Sequence, residues 1–139
     1  MGLPALKGDT IYTYKDYLGW GYNERWELID GVAYNLSPAP SRTHQEVSGE
    51  LFATIHNHLK GKECKVYHAP FDVRLPEANE SDEDTRTVVQ PDIVVVCDKA
   101  KLDDKGCKGA PDLIRQIAEM LIKRLAHIVH FWYFYACKP

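Results

Sequence analysis

This chain is organised around the stretch Thr87-Val88-Val89-Gln90-Pro91-Asp92-Ile93-Val94-Val95-Val96-Cys97-Asp98. Its apolar, β-branched residues predict a buried strand over 88–97, into which Asp92 brings an acidic side chain. A carboxylate there must be solvated, paired or bound to a metal, because an isolated buried charge is too costly to keep. Two interpretations stay open. Asp92 closes a Pro-Asp turn at the strand entrance, or it holds a divalent cation that activates water for phosphodiester hydrolysis.

Length and composition predict one domain with one hydrophobic core. A chain of 139 residues is expected to bury about two thirds of its unfolded surface. Hydrophobic residues make up 45% and charged residues 27%, which is typical of a globular protein. The formal net charge of -3 argues against a protein that binds nucleic acid chiefly through a broadly basic surface. Any contact with DNA would have to be local or bridged by a metal.

The first residues and the cysteines predict a cytoplasmic protein without membrane association. The opening Met-Gly-Leu-Pro-Ala-Leu-Lys contains no apolar signal core. No apolar stretch reaches the ~20 residues that a membrane span requires. The four cysteines stand far apart, without a Cys-x-x-Cys pair, which argues against a structural zinc site. We therefore expect free, mostly buried thiols in a reducing compartment.

Local patterns in the first half predict two helices and a hairpin. Residues 10–20 resemble a short helix, and Asp30-Gly31 predicts a tight turn between strands at 26–29 and 32–36. A second helix is expected where Thr43 and Glu46 have the spacing of a capping box. Its apolar stripe, which should face a sheet, consists of Val47, Leu51, Ile55 and Leu59.

The second half is predicted to alternate strands with polar loops. Further strands are expected at 65–68 and 71–75, followed by a solvated, mobile acidic loop at 77–86. A polar loop at 98–109 and a strand start near 110–114 come next. A helix over about 116–128 and an aromatic strand at 129–135 complete the pattern. This order predicts an α/β (α+β) fold with a mixed central β-sheet flanked by helices.

Five short stretches resemble the bacterial putative restriction endonuclease family, which lies within the PD-(D/E)XK nuclease superfamily. They occur in the expected order over roughly residues 12–114. The stretches are Trp26-Glu27-Leu28-Ile29-Asp30-Gly31, Ser37-Pro38-Ala39-Pro40-Ser41 followed by His44-Gln45, Ala69-Pro70-Phe71-Asp72-Val73, Val89-Gln90-Pro91-Asp92-Ile93 and Gly109-Ala110-Pro111-Asp112-Leu113. The resemblance implies a single restriction-endonuclease-like domain over 1–139, atypical after about residue 114.

The resemblance also implies the chemistry and the residues that perform it. Such nucleases cleave DNA with a divalent metal, so Mg²⁺ or Mn²⁺ is the implied cofactor and DNA the implied partner. Asp92 matches the motif aspartate that binds the metal. Glu27 and His44 match recurrent polar positions near the site, and we include both among the candidate catalytic residues.

The sequence departs from the family pattern after residue 114. Gln116 stands where a glutamate is expected, and the Ser-Pro loop that should follow is absent. Either residues are deleted there and Lys123 is still the catalytic lysine, or an aberrant segment has replaced the native end. Glu119, one helical turn from Lys123, is the candidate for a second metal-binding carboxylate. The alternative is that Glu119 and Lys123 form an ordinary surface pair.

Two classes of function remain open at this point. In the first, the chain is a metal-dependent nuclease. In the second, it is a non-catalytic domain on the same scaffold that binds DNA or a partner protein, with a homodimer as one arrangement. Asp72 either approaches Asp92 across neighbouring strands or faces solvent. The tyrosines and tryptophans near residues 11–26 lack interleaved Lys or Arg, so we expect core or dimer surface rather than a base-stacking platform.

Overall fold

The computed structural model describes residues 9–21, 23–36 and 39–117. Within these ranges it has two α-helices and nine strands. The strand predicted at 129–135 and nearly all of the helix predicted at 116–128 lie outside them. In chain order the elements are α1 (Tyr14–Leu18), β1 (Trp26–Ile29), β2 (Val32–Asn35), α2 (Arg42–Leu59), β3 (Lys65–His68), β4 (Asp72–Arg74), β5 (Val88–Val89), β6 (Ile93–Val96), β7 (Leu102–Asp103), β8 (Gly106–Lys108) and β9 (Leu113–Arg115).

The strands form two sheets. The larger has the order β2-β1-β5-β4-β8-β7 and is mixed, because β4 and β8 run parallel while its other described pairs are antiparallel. The smaller has the order β3-β6-β9 and is antiparallel. The architecture is an α+β fold with a mixed sheet, consistent with a restriction-endonuclease-like domain. The fold class predicted from the sequence is confirmed.

The stretch at 88–97 does not form the single strand that was predicted. Val88 and Val89 belong to the larger sheet, where they pair with Leu28, Arg74 and Val73. Residues 93–96 belong to the smaller sheet between β3 and β9. Proline at 91 cannot donate a hydrogen bond to a ladder, so the segment 90–92 carries the chain from one sheet to the other. Asp92 therefore lies at the crossing between the sheets.

The N-cap of helix α2 lies two residues before the predicted one. Its N-cap is Ser41, whose hydroxyl oxygen accepts a hydrogen bond from the backbone N–H of His44 at 3.1 Å. Thr43 lies inside the first turn, and Glu46 pairs with Arg42 instead of closing a capping box. The prediction of Thr43 as the cap was wrong because Ser41 offers an equally good hydroxyl.

The apolar face of α2 packs on the smaller sheet. Leu51, Ile55 and Leu59 contact the cluster formed by buried side chains of that sheet, namely Val66, Ile93 and Val95. Val47, the first member of the predicted stripe, is 48% exposed. Three of the four stripe residues therefore anchor the helix, and this packing brings its first turn toward the start of β6.

The two predicted polar loops are more structured than expected. In the acidic stretch 77–86, Thr85 is fully buried and Asp82 forms an ion pair with the buried Arg74. The stretch 98–109 contains the hairpin of β7 and β8 instead of a continuous loop. Gly106 has φ +135°, and a Cβ there would meet the carbonyl oxygen of Asp72 at 2.2 Å. Only glycine lets β8 approach β4 this closely.

The expectation of four free cysteines was wrong. Cys64 and Cys97 form a disulfide, and Cys107 is free and buried. Lys65 pairs with Val96 in the antiparallel β3–β6 ladder. Cys64 and Cys97 are the next residues on the two strands, so they stand opposite each other. The separation of 33 residues hides this pairing in the sequence. Among the described residues, no helix is long and apolar enough to cross a membrane.

Candidate active site

Asp92 is a buried carboxylate at the crossing between the two sheets. Its side chain is 11% exposed. Its Oδ2 accepts a hydrogen bond from the backbone N–H of Ile117 at 2.6 Å and lies 3.2 Å from Nε2 of His44. Within the described ranges, no hydrogen bond reaches Oδ1. One oxygen of Asp92 is thus held by the protein, and the other can bind a ligand.

His44 reaches Asp92 from the first turn of α2. Its side chain is 9% exposed. Its Nδ1 is buried and has no hydrogen-bond partner in the part of the chain that the structure describes. Buried polar atoms are normally paired, so the unmet Nδ1 marks His44 as a group able to take a proton or bind a ligand.

Glu27 extends from β1 on the face opposite to its buried neighbours Trp26 and Leu28. Its Oε1 accepts a hydrogen bond from the backbone N–H of Gln90 at 2.7 Å. Burial raises the pKa of Glu27, the hydrogen bond from Gln90 lowers it, and the charge of Asp92 raises it further, so the net shift is upward. The charge of Arg25 opposes this shift, and burial remains its largest cause.

Gln90 connects Glu27 with a second polar group. Its side-chain Oε1 accepts a hydrogen bond from Nε of Arg25 at 3.0 Å. Its Nε2 donates to the hydroxyl of Tyr17 and to Oδ1 of Asp72, each at 2.8 Å. The sequence predicts no role for Gln90, because a glutamine side chain by itself indicates no particular chemistry. Its only signal was its position directly before Pro-Asp in the central stretch.

Asp72 belongs to the polar group on the far side of Gln90. It neither pairs with Asp92 nor faces bulk solvent, since its half-buried Oδ1 also accepts a hydrogen bond from the Tyr17 hydroxyl at 2.9 Å. Burial raises the pKa of Tyr17, and the negative charge of Asp72 raises it further. Both alternatives considered for Asp72 are replaced by this hydrogen-bonded arrangement.

Asp92 and Glu27 offer the oxygen donors that a hard divalent cation takes. The oxygens of Asp92 and Glu27 that make no hydrogen bond in the described ranges would be its ligands, because Mg²⁺ prefers one or two carboxylates with water in the other positions. The structure places no group of three acidic, histidine or cysteine side chains where it could hold a metal, as far as the described residues go. The other candidates, Glu119 and Lys123, lie outside those residues.

The register of the smaller sheet places Gln116 opposite Asp92. Ile93 pairs with Arg115 in the antiparallel β6–β9 ladder. Continuing the ladder by one residue sets Asp92 against Gln116, and Ile117 beyond it already donates to Asp92. Directly opposed residues of antiparallel strands have neighbouring Cβ atoms. Gln116 is exposed, and it stands in the sequence where the family pattern has a glutamate, a residue type that binds metals.

The α+β fold with its mixed sheet is consistent with a restriction-endonuclease-like domain. The family Uma2, described as putative restriction endonuclease, matches residues 14–120, which is more than half of the chain. The chain belongs to this family, as the sequence resemblance indicated. No curated protein gives a significant match. The family assignment indicates a nuclease function at the level of the family, for which DNA is the implied substrate.

Proposed function

We propose that this protein is a metal-dependent endonuclease that hydrolyses DNA phosphodiester bonds at the site formed by Glu27, His44 and Asp92. One observation carries the proposal. Asp92 is a buried carboxylate at the crossing between the two sheets, and its charge reaches the half-buried carboxylate of Glu27. Carboxylates in such surroundings are stabilised by a cation, and a bound divalent ion would supply that charge. The family assignment supports DNA as the substrate.

Asp92 and Glu27 would hold Mg²⁺ or Mn²⁺, which activates water and neutralises charge on the phosphate when bound. The contact with Nε2 of His44 and the hydrogen bond from Ile117 both fall on Oδ2 and orient the Asp92 carboxylate. The hydrogen bond from Gln90 orients Glu27 in the same way. The unmet Nδ1 of His44 is suited to hold a proton during the reaction.

Two further parts of the proposal concern residues beyond Ile117. Lys123 would stabilise the charge that develops on the phosphate, and Glu119 would be a further metal ligand. A cytoplasmic location and a homodimer likewise stay predictions from the sequence.

The test is cleavage of supercoiled plasmid by the full chain with Mg²⁺ or Mn²⁺, together with calorimetric titration of the metal. Asp92→Asn should abolish both cleavage and metal binding. Asp112→Asn is the matched control, because Asp112 also follows a proline and accepts a backbone N–H, that of Cys97, at 2.7 Å. Plasmid that stays uncut with either metal at high protein concentration contradicts the proposal, as does an Asp92→Asn variant that cleaves like the control.

The amide at Gln116 supports a second candidate, a non-catalytic domain that binds DNA or a partner protein. An amide contributes no negative charge to a metal site. This function predicts binding of a DNA duplex without added metal, measured by fluorescence anisotropy. Binding that is unchanged by EDTA and by Asp92→Asn favours it, and loss of binding under either condition favours the nuclease.

A further inference from the structure

A cavity of about 550 Å³ lies beside the candidate active site, on the side of Gln90 that faces Asp72. Asp92 and Glu27 do not line it, whereas Gln90 and Asp72 do. Gln90 therefore contacts Glu27 through its backbone N–H and lines the cavity with its side chain. The nuclease proposal assigns no role to the cavity.

Aromatic rings form much of the wall of this cavity. Tyr67 and Phe71 stack with ring centroids 4.5 Å apart and an angle of 11° between their planes. Trp20 lies between Tyr17 and Trp26, with centroid distances of 5.7 Å to each. All five rings line the cavity. Such a wall offers apolar contact and the negative faces of several π-systems.

The charged side chains on the cavity wall are mainly acidic. Four carboxylates, those of Glu24, Asp72, Asp103 and Asp104, stand against the single ammonium group of Lys105. Asp103 is paired with Arg74. Asp72 accepts hydrogen bonds from neutral donors, and the described part of the chain places no cation in an ion pair with it. Its Oδ2 makes no hydrogen bond within those same ranges and can accept one from a ligand.

This chemistry excludes two kinds of occupant. A phosphate or other anion would meet the carboxylates at close range without a compensating cationic cluster. A nucleobase would find both amide donors of Gln90 taken by Tyr17 and Asp72, and the carbonyl oxygen already accepting a hydrogen bond from Arg25. A cation with an apolar body satisfies both features of the wall.

We propose that this cavity binds an organic cation, an alkylammonium or guanidinium group, with its apolar part against the rings and its charge at Asp72. The same chemistry is present in a free polyamine and in a lysine or arginine side chain of a partner protein. The binding requires no metal and no DNA, so its test does not depend on the outcome for the nuclease proposal.

The test measures binding to the full chain by calorimetry and by tryptophan fluorescence, at physiological salt and without metal or DNA. Spermidine probes the free polyamine, N-acetyl-arginine amide and N-acetyl-lysine amide probe the side chains, and thymidine is the neutral base control. We expect saturable binding of the cations and none of thymidine. Tighter binding of spermidine identifies a polyamine site, and tighter binding of an amide identifies a side-chain site.

Two variants and a control locate the binding. Asp72→Asn keeps an oxygen for Tyr17 and Gln90 but removes the charge, and should weaken cation binding about tenfold. Phe71→Leu keeps an apolar side chain but removes a ring, and should weaken binding about threefold. Asp84→Asn changes an exposed aspartate that is hydrogen-bonded to Ser81, away from the cavity, and should leave binding unchanged. Thermal unfolding verifies that each variant is folded.

Three outcomes overturn this inference. One is the absence of saturable cation binding by the folded wild-type chain. Another is equal weakening by Asp72→Asn and Asp84→Asn, which would reveal a general counterion effect of the acidic surface. The third is thymidine binding as tightly as spermidine, which would assign the cavity to a base.

Discussion

Two regions of this protein bury charged side chains, and they do so in opposite ways. Arg74 is fully buried and donates from its two terminal nitrogens to Asp82 and Asp103, at distances between 2.6 and 3.0 Å. Its guanidinium carbon also lies 5.2 Å from the centre of the Tyr14 ring. Opposite charges meet there, so the cluster holds together α1, β4 and the loops around them.

The second region gathers charges of the same sign. Glu27 and Asp92 are both acidic, and their described partners are backbone N–H groups and the imidazole of His44. The pKa values reflect the contrast. Burial raises the pKa of Asp103, but the hydrogen bond and charge of Arg74 leave it below its usual value. The pKa of Glu27 is raised chiefly by burial, and the hydrogen bond from Gln90 and the charge of Arg25 lower it without cancelling that effect.

The comparison distinguishes charged side chains that stabilise the fold from those that are available to a ligand. The Arg74 cluster pairs opposite charges within the protein, although Nε of Arg74 has no hydrogen-bond partner among the described residues. At Glu27 the charge of the half-buried Arg25 does not cancel the effect of burial, and a bound cation would oppose the remaining upward pKa shift. Four variants test this division, taken from the largest expected effect to the smallest.

The largest effect is expected for Asp92→Ala, which removes the central metal ligand of the proposed site. Plasmid cleavage should fall by about a thousandfold or more, because the ion would lose its main anchor. Initial rates with Mg²⁺ and with Mn²⁺ measure the loss. A variant that keeps a tenth of the wild-type rate would place the catalytic metal elsewhere.

Arg74→Met should lower the free energy of unfolding by about 3 kcal/mol, because it leaves two aspartates without their shared partner. Urea unfolding followed by fluorescence measures the change. Arg86→Met is the control, since Arg86 pairs with Glu80 and Glu77 on the surface and should cost about 0.5 kcal/mol or less. Equal losses in the two variants would show that the buried cluster has no special structural role.

Gln116→Glu should strengthen Mg²⁺ binding about tenfold, because it adds a carboxylate opposite Asp92. Calorimetric titration gives the affinity. Gln116→Ala removes the amide without adding charge and should show no gain. If both variants bind the metal like the wild type, residue 116 does not lie opposite Asp92 at the metal site.

The smallest effect concerns Glu27→Gln, measured as the melting temperature without divalent ions. A carboxyl group whose folded pKa is raised contributes stability below its unfolded pKa and loses that contribution as pH rises through the folded pKa. The neutral glutamine avoids this loss, so the variant should melt about 3 °C higher than the wild type near pH 7. The difference should vanish near pH 4, where the wild-type group is protonated.

A melting temperature that falls at both pH values would contradict the like-charge description of the site. Adding Mg²⁺ sharpens the test. The ion should stabilise the wild type but not Glu27→Gln, since binding to the folded state alone raises its stability.

Much of the local structure was predictable from short-range signals. Strand β1 was expected at 26–29 and found there, and the turn at Asp30 and Gly31 has the positive φ values of 50° and 80° that its sequence requires. The family was recognisable for the same reason, since its motifs are short and keep their order. These features depend on neighbours within a few residues, which a single sequence displays directly.

Other features were hidden because they depend on residues far apart in the chain. The sequence shows the proline at 91 that breaks the 88–97 strand. It does not show that the chain passes there from one sheet to the other, because that depends on the strands with which each half pairs. The sequence predicts free thiols at Cys64 and Cys97, because only the β3–β6 register brings the two residues together. The full burial of Arg74 contradicted the usual exposure of arginine.

The sequence alone determined the α+β class, the family and the identity of Glu27, His44 and Asp92 as candidate site residues. Only the tertiary structure decided that His44 contacts Asp92, that Gln90 joins Glu27 to a cavity, and that Arg74 pairs with Asp82 and Asp103. The physical reason is that backbone preferences and apolar periodicity act locally. The energy of a buried charge is set instead by the groups that the folded chain places around it.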